Sequence, residues 1–180
     1  SDHLIITTLA EQLQDCGIQA LTIHGRTRSQ MYKGHSDWSY IAKVKNNPRM
    51  HIPIFGNGDI DSPEKALEYR NKYGIDGIMI GRAAIGYPWI FNEIKHYFAT
   101  GELLPSPTIA DRVEAAKNHL LWSVEWKGER QGVLEMRRHY ANYFKGIPNF
   151  KEHRQRLVTL DSSEGIIREL EVVRELKREV

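Results

Sequence analysis

Residues 52–81, "IPIFGNGDIDSPEKALEYRNKYGIDGIMIG", set the fold class of the chain. The stretch opens and closes on short apolar runs, IPIFGNG at 52–58 and GIDGIMIG at 74–81, each ending in glycine. Between them SPEKALEYRNKYG is rich in helix formers, with Ser62 in the N-cap position and Pro63 as the first helical residue. Two apolar strands joined through a helix pair in parallel, with a right-handed crossover and helices covering the sheet. Asn57, held between Gly56 and Gly58 with Asp59 behind it, raises a local question. Glycine weakens a strand interior but admits positive φ and close approach of another group, which points to a turn built around something. The plainer alternative is a strand-to-helix turn in which Asp59 or Asp61 caps the helix.

The same alternation extends outward from this unit. QALTIHG at 19–25 is a third apolar run ending in glycine, and DWSYIAKVKNN at 37–47 reads as the intervening helix. Upstream, Leu4, Ile5, Leu9 and Leu13 recur at helical spacing within 2–15, and Gly17 follows as a stop. Cys16 falls at the end of that helix, away from the strand ends, where it is expected to be a small buried residue. Beyond about residue 100 the strand signal ceases. GELLPSP at 101–107 reads as a linker, and Thr108 with Asp111 forms a capping-box-like start for a helix carrying Val113, Ala116, Leu120 and Val124, closed by Gly128. A second helix over 130–145 aligns Val133, Met136, Tyr140 and Tyr143 and is closed by Gly146 and Pro148; a third is expected over 162–179. The expected organisation is therefore an α/β region over 1–100 and a small helical bundle over 101–180, with no internal repeat.

Composition narrows the function classes. With 180 residues and 41% hydrophobic content the chain can bury a real core, and a net charge of +2 does not by itself imply a nucleic-acid or membrane partner. A single cysteine excludes an internal disulfide framework and suits a reducing, cytoplasmic compartment. No apolar run approaches the roughly 18 residues of a membrane span, and no basic n-region with an apolar core opens the sequence. No two histidines stand at i, i+4 and there is no cysteine cluster, so no metal site is expected; DIDS is too short for a calcium loop, and neither a G-x-S-x-G elbow nor a P-loop occurs.

In parallel α/β folds the loops after the strands build the site. Three are available: HGRTRSQ at 24–30, GNGDIDS at 56–62 and GRAAIG at 81–86. Glycine-opened turns leading to helix N-termini expose backbone N–H groups, and Arg82 adds a planar fork of donors, a combination suited to phosphate. A strand-ending turn with a solvated arginine is the competing account of Gly81 and Arg82. His24 shares its loop with Arg26 and Arg28; it could donate a hydrogen bond to a ring carbonyl, while the two arginines could equally be solvated charges.

Four stretches together resemble one family. ALTIHGRTRSQMYKGHSDWSYIAKVK, IPIFGNGDI and GIDGIMIGRAAIGYPWIF resemble the second half of the barrel of tRNA-dihydrouridine synthases, and LEMRRHYANYFKGIP resembles the start of their helical domain in the bacterial B-type branch. The resemblance runs over nearly the whole chain. It implies a flavoprotein that uses FMN, recharged by NADPH, to reduce a tRNA uridine to dihydrouridine. By position, Asn57, Gly58, Asp59, Gly81 and Arg82 fall on the family's FMN-binding residues, chiefly around the phosphate, and His24 on a histidine near the flavin ring and target uracil.

The departures from the family shape the remaining expectations. A TIM (β/α)8 barrel takes eight strands and about 250 residues, whereas three strand-and-loop units are present, resembling strands six to eight. The family's catalytic cysteine follows its fourth strand and a flavin-contacting lysine lies on its fifth. Neither region is matched, Cys16 is no substitute for the former, and no catalytic residue is assigned in this chain, which resembles a C-terminal fragment that would be inactive alone. The alternatives are another FMN- or phosphate-binding barrel oxidoreductase, or a non-catalytic RNA-binding module. For tRNA, residues 127–156 carry eight Lys or Arg against three Glu, and Arg137, Arg138 and Lys145 are expected to face phosphates. Finally, strands 19–24 and 77–81 would leave open barrel edges, and the barrel's inner face is expected to bear Leu21, Ile23, Ile54, Ile78 and Ile80, which together point either to a homo-oligomer or to a proteolytic remnant held by other contacts.

Overall fold

The computed structural model describes residues 5–176 and contains the strand–helix alternation expected from the sequence. Strands β1 (Leu21–His24), β2 (Ile54–Asn57) and β3 (Gly77–Met79) form a parallel sheet in the order β1-β2-β3. Leu21 lies beside Ile54, Ile23 beside Gly56, and Gly56 beside Ile78. Helices α1 (Ile6–Asp15), α2 (Ser39–Lys45), α3 (Pro63–Tyr73) and α4 (Ile90–Thr100) complete this part of the chain. Local chemistry explains the boundaries of α3. Ser62 Oγ accepts from the Lys65 N–H at 3.2 Å, Pro63 begins the helix, and Gly74 ends it in the left-handed region at φ 64°. Leu4 and residues 177–179, assigned to helices from the sequence, lie outside the described residues.

Three expectations are corrected. Cys16 is exposed rather than buried. It caps the C-terminus of α1, whose one fully buried residue is Ala10, while Gln14 in the last turn holds that end to the backbone ahead of β2, accepting from the His51 N–H at 2.7 Å. The apolar strand residues occupy the helix-covered face instead of an uncovered one. Ile23 and Ile54 are buried, and on their side of the sheet the Trp38 indole packs against Gly56, where an added Cβ would lie 2.0 Å from the ring. The opposite face carries Thr22, His24, Phe55, Asn57 and Met79, because side chains alternate along a strand and these are one residue out of step with Ile23, Ile54, Gly56 and Ile78. The third correction concerns helices not assigned from the sequence. α4 carries Ile90, Phe91, Ile94, Tyr97 and Phe98 at helical spacing, a stripe legible in the sequence though no helix was expected there, whereas α7 (Phe150–Thr159) buries only Phe150 and Leu157 and offers no broad stripe.

The chain divides into two compact units, Ser1–Ala84 with Ile90–Leu104, and Ile85–Trp89 with Pro105–Val180. In the second, α5 (Ile109–Lys127), α6 (Glu129–Tyr143), α7 and α8 (Ser163–Arg174) pack around one apolar core. The Thr108–Asp111 capping box is formed, with Thr108 Oγ1 accepting from the Asp111 N–H at 3.1 Å and Asp111 accepting from the Thr108 N–H at 2.8 Å. Val113, Ala116 and Leu120 are buried against Val133, Met136, Tyr140 and Tyr143, and Val124 packs at the edge of the same cluster. Gly132 lets α5 and α6 approach closely, since a Cβ there would lie 2.7 Å from Val124 Cα. Among the described residues, no helix is long and apolar enough to cross a membrane.

Candidate functional site

The first unit holds a cleft of about 760 Å³ where the three strands end, lined by His24, Arg26, Asn57, Asp59, Gly81 and Arg82 among others. Asp59 is its organising residue. Its backbone is left-handed at φ 56°, a conformation that aspartate tolerates better than most residues. One carboxylate oxygen accepts from Arg26 Nη2 at 2.7 Å and from the Ser36 N–H at 2.8 Å; the other accepts from Arg82 Nη2 at 2.9 Å. Burial alone would raise the Asp59 pKa. The hydrogen bonds from Arg26 and Ser36, with the Arg26 charge, outweigh it and hold the carboxyl well below the usual carboxylate range. Neither Asp59 nor Asp61 caps α3; Ser62 does.

Arg26 is not a solvated charge. Its side chain is 4% exposed, Nη2 also donates to the Gly34 carbonyl at 2.6 Å, and Nη1 is buried without a hydrogen-bond partner. Arg82 behaves differently. It is 56% exposed, pairs with Asp59, and carries its guanidinium 4.8 Å from the centre of the Tyr32 ring. One carboxylate thus fixes two guanidiniums, one interior and one open to the cleft. Counting Lys65 and Asp61, which form an ion pair at 3.4 Å, the lining keeps one positive charge in excess.

The remaining polar groups are oriented by backbone contacts. His24 Nδ1 accepts from the Arg26 N–H at 2.9 Å, which leaves the neutral ring's proton on Nε2 as a donor. Asn57 donates from Nδ2 to the Met79 carbonyl at 2.7 Å, bracing β2 against β3, while its own carbonyl accepts from the Gly25 N–H at 2.8 Å. The glycines serve two purposes. Gly56 is required by Trp38, and Gly58, at φ 131°, by Ser36, whose Cβ would lie 2.7 Å from an added one. A Cβ on Gly81 would meet no protein atom within 4 Å, so packing within the chain does not explain that glycine.

The six residues expected to bind the cofactor, His24, Asn57, Gly58, Asp59, Gly81 and Arg82, all line this one cleft, and Arg28 does not. Sequence reasoning missed Tyr32, which lines the cleft, Ser36, whose N–H holds Asp59, and the inward position of Arg26. The only signal was the density of polar and glycine residues in the 24–38 loop.

In the second unit the three basic residues diverge. Arg137 does not face outward: it is partly buried, donates to the Leu160 carbonyl at 3.2 Å, and has a buried, unpartnered Nε. It clamps α6 to the end of α7. Arg138 is exposed, 3.8 Å from Glu135, and Lys145 is exposed beyond the end of α6.

Comparison with known proteins adds a family. The family model described as dihydrouridine synthase (Dus) matches residues 1–179. The chain is 45% identical over 153 residues to a tRNA-dihydrouridine synthase B of Xanthomonas campestris, covering 85% of this chain and 46% of that protein. It is 43% identical over 157 residues to a probable tRNA-dihydrouridine synthase 1 of Synechocystis, covering 87% and 43%. It is 40% identical over 158 residues to a tRNA-dihydrouridine synthase B of Pseudomonas aeruginosa, covering 88% and 47%. The chain spans less than half the length of these curated relatives.

Proposed function

The chain belongs to the dihydrouridine synthase family, and from that premise we propose that its first unit forms the phosphate side of an FMN site in a cytoplasmic enzyme that reduces a tRNA uridine to 5,6-dihydrouridine with NADPH as electron donor. The three-stranded sheet would be part of a TIM barrel, with its other strands supplied by the length of the relatives that this chain does not cover. The helices of the second unit, through Arg138 and Lys145, would contact tRNA phosphates.

The observation that carries this proposal is the pairing of Gly81 with Arg82. Beside a glycine whose Cβ direction is open stands an arginine already oriented by Asp59, with its guanidinium half exposed to the cleft. That is a cationic fork next to approachable backbone, the arrangement that suits a phosphate monoester. Asp59 would act on the phosphate through Arg82 rather than directly, since its carboxylate would repel a phosphate and both of its oxygens are committed to donors. His24, with its proton on Nε2, would donate to a carbonyl oxygen of the flavin ring or the uracil. When bound, FMN supplies the hydride chemistry, and these residues bind and orient it. No proton donor to the uracil is assigned here; chain connectivity puts Cys16, ahead of β1, at the opposite strand end from the cleft.

The test is FMN retention by the protein with the rest of its barrel present, since binding by this chain alone is expected to be weak. Arg82→Ala should weaken FMN by about 1–3 kcal/mol, the scale of a lost charge-assisted hydrogen bond. Unaltered affinity, measured by recovery of flavin fluorescence on dilution, would remove Arg82 from the site.

A further inference from the structure

A second cleft, of about 270 Å³, lies between α5 and α6 and is lined by His119, Trp122, Trp126, Lys127, Arg138 and His139, with Glu135 also in its wall. Trp122 and Trp126 stand one turn apart on α5 and are 66% and 82% exposed. Tryptophan carries the largest apolar side chain and is buried on average, so two open indoles at i, i+4 mark a surface built to be covered. Their surroundings are not those of an apolar interface. Lys127 Nζ lies 4.9 Å from the centre of the Trp126 ring while also paired with Glu135, and Arg138 reaches Glu135 at 3.8 Å and His139 Nε2 at 3.3 Å. Two cations face one carboxylate, leaving a positive excess.

The more buried side of the cleft carries two imidazoles, tilted by 50° to one another. The His119 and His139 rings lie 4.8 Å apart, and His119 Nδ1 shares a hydrogen bond with the Tyr143 hydroxyl at 3.1 Å. Burial, the largest cause at both, pushes the two histidines below their ordinary value; Arg138 and Lys127 add to this at His119, and His119 and Arg138 add to it at His139, where Glu135 opposes.

The occupant that satisfies these features together offers planar aromatic faces and negative charge at short, regular separation. An apolar helix from another protein would strand Lys127 and Arg138. A second copy of this chain on a twofold axis would set the same cations against one another. The volume is slightly below the roughly 300 Å³ at which drug-sized ligand sites begin, which suits a single heterocycle. A single-stranded nucleic acid segment meets each condition, with bases on the indoles and phosphates on the cations.

We propose that the α5–α6 cleft stacks an unpaired RNA base on Trp122 or Trp126 while Lys127 and Arg138 hold the flanking phosphates. The identity of that RNA as tRNA rests on the function proposed above; the stacking itself does not. The experiment measures binding of oligoadenylate and of an unmodified tRNA transcript to the full chain across a salt series. Trp122→Ala and Trp126→Ala should weaken both by about 5- to 100-fold, the scale of one base–aromatic stack, without changing the salt slope. Trp126→Phe should restore most of the loss, and Lys127→Ala should reduce the slope by about one. Both indoles are exposed, and an unchanged melting temperature in the alanine variants establishes that their folding is intact. Undiminished RNA affinity in the double alanine variant overturns the stack, as does loss of self-association in that variant with RNA binding retained, which would assign the face to a second copy. Oligoadenylate stacking that depends on the indoles, with no binding of tRNA, keeps the stack and removes tRNA as its ligand.

Discussion

Gly56 inside β2, and Gly58 and Gly81 beyond the ends of β2 and β3, answer to different forces. At Gly56 a methyl group would collide with an indole that is itself fully buried, so Gly56→Ala should destabilise the first unit by about 1–3 kcal/mol through overpacking. At Gly81 there is no such neighbour, and Gly81→Ala should leave the melting temperature unchanged while lowering FMN affinity. Thermal melts and flavin titrations of the two variants should separate cleanly; destabilisation by the Gly81 substitution would mean that packing, not a ligand, requires the glycine. Asp59 adds a pH dependence. Because its folded pKa is depressed, its stabilisation is present above the unfolded carboxylate value near about 4 and is lost as pH falls through the folded one. Asp59→Asn, which leaves Arg26 buried without its carboxylate, should cost about 3 kcal/mol at neutral pH. The difference from the native protein should narrow on acidification below about pH 4, as denaturant midpoints across pH would record. These residue types and their spacing are visible in the sequence. The partner that completes Asp59, the Ser36 N–H, is not, because a backbone donor carries no residue signature and 23 positions separate the two.

At the scale of elements, legibility follows local chemistry. α3 and α5 could be bounded from the sequence because Ser62, Pro63, Gly74, Thr108 and Asp111 act on their own helix ends, through contacts that need no tertiary structure. α7 could not, because its register is set by only two buried side chains and its surface is charged. The strands were legible as elements but not in their facing. Apolar content alone does not say which side of a sheet the helices cover, and the Trp38 indole over Gly56 settles it. Gly132 gives a case where propensity and packing oppose. Alanine would favour an α-helix by about 1 kcal/mol over glycine. Its Cβ, however, would press on the Val124 backbone, and overpacking against backbone costs about 1–3 kcal/mol. Packing wins, so Gly132→Ala should lower the melting temperature despite the better helix former. A rise would show that α5 and α6 can move apart without loss.

For the whole molecule, the sheet of the first unit poses the remaining physical problem. Among the described residues β1 and β3 each pair on one side only, so their outer rows of N–H and C=O groups lack strand partners. Such edges are templates for association. The expectation from sequence placed the apolar residues on the exposed side as well, which would have added a strong hydrophobic drive. With Ile23 and Ile54 under the helices, and with Thr22, His24 and Asn57 on the other face, that drive is smaller. Only Phe55 and Met79 bring apolar surface there, and Phe55 lies over Gly77, where an added Cβ would be 2.2 Å from its ring. Association of the full chain should therefore be weak and edge-directed, through main-chain hydrogen bonds with little apolar burial. It should be nearly independent of salt, unlike contacts made through the basic second unit. Sedimentation over a concentration series at low and high salt tests both points. Self-association that vanishes at high salt would locate the contact in the charged helices instead of the sheet, and a monomer at every concentration would mean that the edges of β1 and β3 are already capped within the chain.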